Sequence, residues 1–258
     1  MGVIGEIAGT AGLNGPAVDP VRFYINSEFQ GLYLHIERID RQFLQRRGLP
    51  ESSLYEANNG LRFDLGGILP EQLFDKKLPD DSWSFDDIAR LLAVTSDGVD
   101  EHNKAALERW LDMDNALAYY AVVRIAAHWD AVHNNTYLYF NPTIGKFQFI
   151  PWDMDHTFER LPDSLPAYTN GLFEYFLEIS SYRARLARIQ CEVLDTTAVF
   201  TFLDPAYASV APHCGLDPLH PLESADCARG LGAIRAFLRE IAGYVHAEAA
   251  AEGIADCP

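Results

Sequence analysis

The stretch His128-Trp129-Asp130-Ala131-Val132-His133-Asn134-Asn135, followed by Pro151-Trp152-Asp153-Met154-Asp155, decides how the chain is read. It sets a carboxylate ahead of an amide, then leaves room for a short hairpin, then brings two carboxylates one residue apart. An aspartate at a helix end can take a proton from a hydroxyl. An asparagine on the next turn and an aspartate beyond the hairpin can hold a divalent cation between them. These are the parts that metal-assisted phosphoryl transfer uses. Two carboxylates this close repel unless a proton or cation lies between them, and their hard oxygens suit Mg2+ or Mn2+ better than zinc.

The flanking sequence supplies a frame. Leu117, Tyr120, Ala121, Val123 and Ile125 line most of the circumference of a helix expected from Asp114 to His128, which marks it as buried. It delivers Asp130 at its C-terminal end. Tyr137–Phe140 and Lys146–Ile150 predict two strands around an Asn141–Gly145 turn. A first hairpin is expected over residues 21–39. There Val21, Phe23 and Ile25, then Leu32, Leu34 and Ile36, alternate with polar positions and give one apolar face; the turn is placed at Ser27–Gly31. Residues 4–13 read as the last turns of a helix stopped at Gly12, and Asp40–Arg47 as a short basic helix ended by Gly48-Leu49-Pro50.

Residues 51–82 are loop-rich, around Asn58-Asn59-Gly60, Gly66-Gly67 and Pro79-Asp80-Asp81, with Leu54–Ala57 as a brief strand. Ser84 with Asp87 forms a capping-box signature for a helix that runs to Asp97-Gly98. Further helices are expected over Gly171–Ile179 and Tyr182–Leu194. Leu231, Ile234, Leu238, Ile241 and Val245 predict one amphipathic helix near the end, with Ala249–Pro258 as a frayed tail.

The totals narrow the classes. The 258 residues carry a net charge of -17. That sign disfavours nucleic acid and anionic lipid as partners. It is compatible with a divalent cation or a basic protein substrate, and equally with a merely well-solvated surface. No apolar run approaches the ~18 residues of a membrane span, so membrane insertion is not expected. Met1–Glu6 lacks the basic region and apolar core of a signal peptide. Cys191, Cys214, Cys227 and Cys257 form no C-x-x-C pair, which argues against zinc. Disulfides, with Cys214–Cys227 closing the shortest loop, and free buried thiols both stay open. The compartment is left open too, a secreted or cell-surface location included.

His128-x-Asp130-x-x-x-x-Asn135 has the spacing of the protein-kinase catalytic loop. A closer resemblance comes from two blocks. Arg22-Phe23-Tyr24-Ile25-Asn26 with Gln30-Gly31-Leu32-Tyr33-Leu34 and Glu37-Arg38-Ile39-Asp40 is the first. Trp129-Asp130 with Asn135-Thr136-Tyr137-Leu138-Tyr139 and Lys146 through Asp155 is the second. Together they resemble the CotH family of atypical protein kinases, over residues 4 to about 160.

The resemblance implies an α+β, kinase-like fold. A partial β-hairpin small lobe and hinge would occupy residues 1–50, and a mainly helical large lobe residues 51–258. It implies ATP and Mg2+ (or Mn2+) as cofactors and the Ser/Thr hydroxyls of a protein substrate as acceptors. Asp130 would be the catalytic base. Asn135 and Asp153 would hold the metal, with Asp155 as second carboxylate. Glu37 would sit at the hinge beside the nucleotide, or would be an edge glutamate paired with a nearby arginine. His128, Trp129 and Trp152 are expected to pack rather than react.

The sequence also departs from the pattern. A kinase clamps the nucleotide phosphates with a lysine, yet Lys76, Lys77, Lys104 and Lys146 are the only lysines and none is placed for it. No G-x-G-x-x-G loop is present. A fragment lacking the start of its small lobe is the expected explanation, a degenerate relative the other. Two rival functions remain: a pseudokinase or structural coat protein, and a metal-dependent hydrolase in which His156 joins Asp153 and Asp155.

Overall fold

The helix that ends beside Asp130 is the axis of the molecule. In the computed structural model it spans Met113–Ile125, and every residue of it except Asp114 and Asn115 is buried. Asp112 caps its N-terminus by accepting from the Asn115 amide nitrogen, an ordinary way to satisfy a first-turn donor. The structure describes residues 2–58, 63, 66–79, 84–160, 162–194, 196–216, 218 and 224–257. The expected turns at Asn59-Gly60 and Asp80-Asp81 lie outside them.

The described elements run α1 (Gly2–Thr10), β1 (Val18–Ile25), β2 (Glu28–Ile36), α2 (Arg41–Arg46), β3 (Leu54–Ala57), α3 (Pro70–Leu73), β4 (Phe74–Leu78), α4 (Asp86–Ser96), α5 (Ala105–Glu108), α6 (Met113–Ile125), β5 (Thr136–Asn141), β6 (Lys146–Pro151), α7 (Phe173–Glu178), α8 (Ser180–Val193), α9 (Thr196–Val210) and α10 (Ser224–Ala251). The fold is α+β. Four antiparallel strands lie in the order β4-β3-β5-β6, and β1-β2 form a separate ribbon.

Period two in β5 and β6 divides two cores. Leu138, Phe147 and Phe149 face α6, where Phe149 stacks on Tyr119 at 4.7 Å. Tyr137, Tyr139 and Ile150 face the other way, onto Phe43 and Leu44 of α2 with Leu54 and Leu78. The sheet is therefore covered on both faces. Asn115 locks it to α6, since its side chain donates to Phe149 O at 3.2 Å and accepts from Phe149 N at 2.6 Å.

The N-terminal ribbon differs from its expected form. Its turn is Asn26-Ser27, both at positive φ (49° and 69°), and the second strand starts at Glu28 rather than beyond Gly31. A two-residue turn with left-handed backbone matches the natural twist of a hairpin. The expected apolar positions are exposed instead of packed as one face: Phe23, Ile25 and Leu34 keep 43–51% of their surface, and Val21 lies opposite Tyr33 while Leu34 lies opposite Pro20. Within the same fifty residues, Ile7, Ala8 and Leu13 at the α1 end belong to the main core around α6 and α8. Gly12, at φ +72°, stops α1 as expected. Ser84 Oγ does accept from Asp86 N ahead of α4, but Asp87 turns to the Tyr55 hydroxyl instead of completing a box.

Two corrections concern helix ends. Helix α6 does not reach His128. Gly12-type geometry recurs there without glycine: Ala127 N donates to Arg124 O at 3.1 Å, His128 N to Val123 O at 3.0 Å, and Ala127 sits at φ +49°. That is a Schellman stop with alanine in the position glycine usually fills. At the other end of the chain the tail does not fray. Helix α10 continues to Ala251, Ala249 is fully buried, and Cys257 is bonded to Cys191 of α8. Cys214 and Cys227 form the second disulfide, so all four cysteines are paired.

Buried Arg124 joins α6 to this C-terminal layer. Its guanidinium meets the Glu248 carboxylate of α10 at 2.7 and 2.8 Å and donates to Pro166 O at 2.6 Å. Removing one partner of a buried pair strands the other charge. Glu248→Ala is therefore expected to cost roughly 3–5 kcal/mol in denaturant unfolding, and Arg124→Met with Glu248→Leu distinctly less than the sum of the two single changes. Ala127→Gly is expected to raise stability by roughly 0.5–1 kcal/mol in the same measurement, because alanine in the left-handed region is strained by about 1–2 kcal/mol and glycine is not.

Candidate functional site

Everything in the site hangs from the stop of α6. After Ala127 the chain enters a 3-10 turn over Trp129–Val132, and the Asp130 carbonyl accepts from His133 N and Asn134 N. The loop then closes with Asn135, whose Nδ2 donates to Asp130 Oδ2 at 2.7 Å. Asn135 is buried and held at φ +52°. Its amide nitrogen is committed to Asp130, which leaves its oxygen as the group able to meet a cation.

The acidic turn is fastened to the same helix end. Phe158 N donates to Ala126 O at 3.0 Å, and the His128 ring nitrogen Nδ1 lies 3.2 Å from His156 O. His128 is fully buried and its Nε2 has no partner. Burial lowers its pKa, which favours the neutral ring, and a hydrogen bond to the His156 carbonyl requires the proton on Nδ1. His128 packs and braces the loop, as expected. Among the described residues, four of the six non-glycine residues at positive φ fall here: Ala127, Asn135, Asp153 and Phe158. Backbone strain of this kind persists only where surrounding contacts enforce it, and it gathers at functional sites.

Asp153, also left-handed at φ +48°, stands among carboxylates. Partial desolvation first, then the charges of Asp155 and Asp130, hold its pKa above the ordinary aspartate value. A cation at this point would relieve that repulsion. The donor set, two carboxylates with a free amide oxygen from Asn135, fits a hard divalent ion that takes its remaining ligands from phosphate and water. Asn135 is bonded to Asp130, and the charges of Asp130 and Asp155 both act on Asp153.

His156 does not complete a hydrolase centre. Its Nδ1 lies 2.7 Å from Glu159 Oε1, which raises its pKa, while Nε2 is 3.9 Å from Asp155 Oδ2. No trio of His, Cys, Asp or Glu side chains arranged to hold a metal occurs among the described residues.

Glu37 is occupied by the fold. It accepts from Ala17 N at 3.0 Å, from Arg46 Nε at 2.7 Å and from Arg47 Nη2 at 2.7 Å. Burial alone would raise its pKa, but Arg47, the Ala17 N–H and Arg46 outweigh it and bring the group down to about 2. The carboxylate clasps the hairpin exit to α2. Arg46 and Arg47 are accordingly ion-paired to Glu37, Arg47 largely covered and Arg46 still exposed.

Some site features escaped the sequence. Trp129 was expected in the core, but 46% of it is exposed, its ring 5.1 Å from that of His156. Trp152 packs edge-on against Tyr137 at 5.8 Å and separates two clefts. One is small and apolar, lined by Ala8, Pro16, Val18, Ile36, Trp152 and Asp153 among others. The other, of about 460 Å3, gathers Arg38, Arg41, Lys77, Tyr137 and Trp152. Arg38 and Arg41 lie three residues apart, just before and at the start of α2, but Lys77 comes from β4, so spacing along the chain does not reveal the three together.

The model of the CotH kinase protein family matches residues 2–208. The inner spore coat protein H of Bacillus subtilis (strain 168) is 24% identical over 217 residues, 75% of this chain and 59% of that protein. The chain thus spans less than two thirds of that relative's length. With the family model covering most of the sequence and both hallmark blocks inside the matched region, the chain belongs to the CotH kinase family.

Proposed function

We propose that the protein transfers the γ-phosphate of ATP to Ser or Thr hydroxyls of a protein substrate. The observation that carries this reading is the Asn135–Asp130 hydrogen bond, set beside the Asp153–Asp155 turn. It gives a carboxylate and a separate oxygen donor set the fixed relation that phosphoryl transfer requires.

Asp130 orients the acceptor hydroxyl and takes its proton as the oxygen attacks the γ-phosphorus. The bond from that phosphorus to the bridging oxygen breaks, and ADP leaves. Asn135 Oδ1 and Asp153, with Asp155 as second carboxylate, would hold Mg2+ or Mn2+, which neutralises charge on the phosphates. The two clefts that meet at Trp152 receive the nucleotide: Tyr137 and Trp152 offer aromatic faces, and Arg38, Arg41 and Lys77 offer positive charge. Arg41 and Lys77 are already paired with carboxylates, Glu51 in one case and Glu56 with Asp75 in the other. Their attraction for phosphate is correspondingly reduced. Glu37, next to Arg38, supports the cleft wall through Arg46 and Arg47 rather than by meeting the nucleotide.

A second reading, a pseudokinase with a structural role, draws on the missing phosphate-clamping lysine and glycine-rich loop. The deciding experiment is transfer of labelled phosphate from ATP to a mixed Ser/Thr protein substrate with Mg2+ or Mn2+. The kinase reading expects labelling by the unmodified chain, lowered ~10²–10⁴-fold by Asp130→Asn and lost with Asp153→Asn. Equal labelling with all three proteins would remove it. Nucleotide binding without any labelling would establish the pseudokinase instead.

A further inference from the structure

Helix α10 (Ser224–Ala251) lies wholly beyond residues 2–208, the stretch that the family model matches. It nevertheless reaches two strained points beside the candidate site. Glu248 accepts from Arg124 Nη1 and Nη2 at 2.7 and 2.8 Å, one turn before α6 stops at Ala127. Phe237 packs edge-on against Phe158, with ring centroids 5.2 Å apart. Ala127 and Phe158 both hold left-handed backbone, at φ +49° and +60°. That region is unfavourable for a residue with a Cβ and more so for a bulky one. Each therefore needs outside contacts to stay there.

Arg124 closes a ring of contacts around the stop. Its Nε donates to Pro166 O at 2.6 Å. Two residues on, the Tyr168 carbonyl accepts from the Tyr120 hydroxyl at 2.7 Å, and the Tyr168 hydroxyl donates to Ala127 O at 3.3 Å. Phe158 N donates to the neighbouring carbonyl, Ala126 O, at 3.0 Å. Buried Gln190 of α8 completes the set. With its amide turned to suit its partners, it donates to Glu248 Oε1 at 3.1 Å and accepts from Arg124 Nη1 at 3.2 Å. Arg124 is itself buried, so its charge has no recourse to water once Glu248 is lost. The guanidinium must then move, and the Pro166–Tyr168 segment is bonded to it.

We propose that Glu248 is a positioning residue for the Asp130 loop. Through Arg124 it keeps Ala127 in the left-handed conformation from which Trp129 and Asp130 leave. The proposal rests on the phosphotransfer reading for the chemistry at Asp130, not for the position of the loop. An ion pair that only added stability would leave the folded loop unchanged when removed. A brace against strain demands more. The loop must relax when the brace goes, and must stop depending on it once the strain at position 127 is gone. Glycine occupies the left-handed region without strain.

The test is fluorine NMR of the full chain carrying fluorotryptophan, with no nucleotide or metal present. Trp129 reports the loop, and Trp110, ahead of the other end of α6, is the control. Each resonance is assigned by its Trp→Phe variant. Glu248→Ala is expected to shift or split the Trp129 signal and leave Trp110 in place. Glu248→Gln keeps the size and one acceptor oxygen; it is expected to move Trp129 less in the same direction, and it carries the test if the alanine variant unfolds. Adding Ala127→Gly to either variant is expected to return Trp129 to the signal of Ala127→Gly alone. An unmoved Trp129 in the folded variants, equal movement of Trp110, or no restoration by glycine overturns the proposal. Phosphate transfer from ATP, read on the same proteins, separates the two ideas, with Glu248→Gln expected to lower it about threefold to tenfold. Loop displacement in a chain that transfers no phosphate keeps the brace and removes the kinase reading. Transfer indifferent to Glu248, with Trp129 unmoved, removes the brace alone.

Discussion

The place where α6 stops is the constraint on which the rest depends. The helix is buried on nearly all sides, so it cannot shift without disturbing the main core. Its last turn offers carbonyl groups with no partner inside the helix. The protein spends them on the site: Ala126 O receives Phe158 N, and Ala127 O receives the Tyr168 hydroxyl. The Asp130 loop leaves from this point and the acidic turn is tied back to it. The two halves of the site are thus referenced to one helix end, at the cost of alanine in a left-handed conformation.

An outer layer keeps that helix end from moving. Arg124, one turn before the stop, reaches Glu248 on α10, while Phe158 packs on Phe237 of the same helix. Helix α10 is itself anchored by the Cys214–Cys227 disulfide near its start and held by Cys191–Cys257 just beyond its end. Bridging Cys191 to Cys257 closes a loop of sequence separation 66, which restricts the unfolded chain substantially. Family membership places the chain among kinase-related proteins, and this buttressing holds the end of α6, from which the Asp130 loop leaves, in register.

Much of this could be read from the residues. Period two exposed both hairpins, the all-round apolar pattern exposed α6, and the three-or-four spacing from Leu231 to Val245 exposed α10. What the sequence hid has physical causes. The stop of α6 carries no glycine, so nothing in Ala126-Ala127 announces a Schellman end. The Asn26-Ser27 turn lies one pair ahead of the more conspicuous Gly31. The ordered tail depends on a covalent partner sixty-six positions away. Burial of Glu37 comes from two arginines on the following helix and a backbone amide in the preceding strand's approach, none of which is local. Trp129 looked like core by composition; only the path of the loop sets it in the open. Asp130, Asn135, Asp153 and Asp155, the residues proposed for the chemistry, fall in two short blocks joined by the β5–β6 hairpin, which is why the sequence alone could single them out.

The most direct test of the central claim is electron paramagnetic resonance titration of Mn2+ in the presence of a non-hydrolysable ATP analogue. The account predicts nucleotide-dependent Mn2+ binding that weakens at least tenfold in Asn135→Ala and Asp153→Ala, and survives in Asp130→Asn, which keeps the loop but not the base. Mn2+ binding that is indifferent to Asn135 and Asp153 would contradict it.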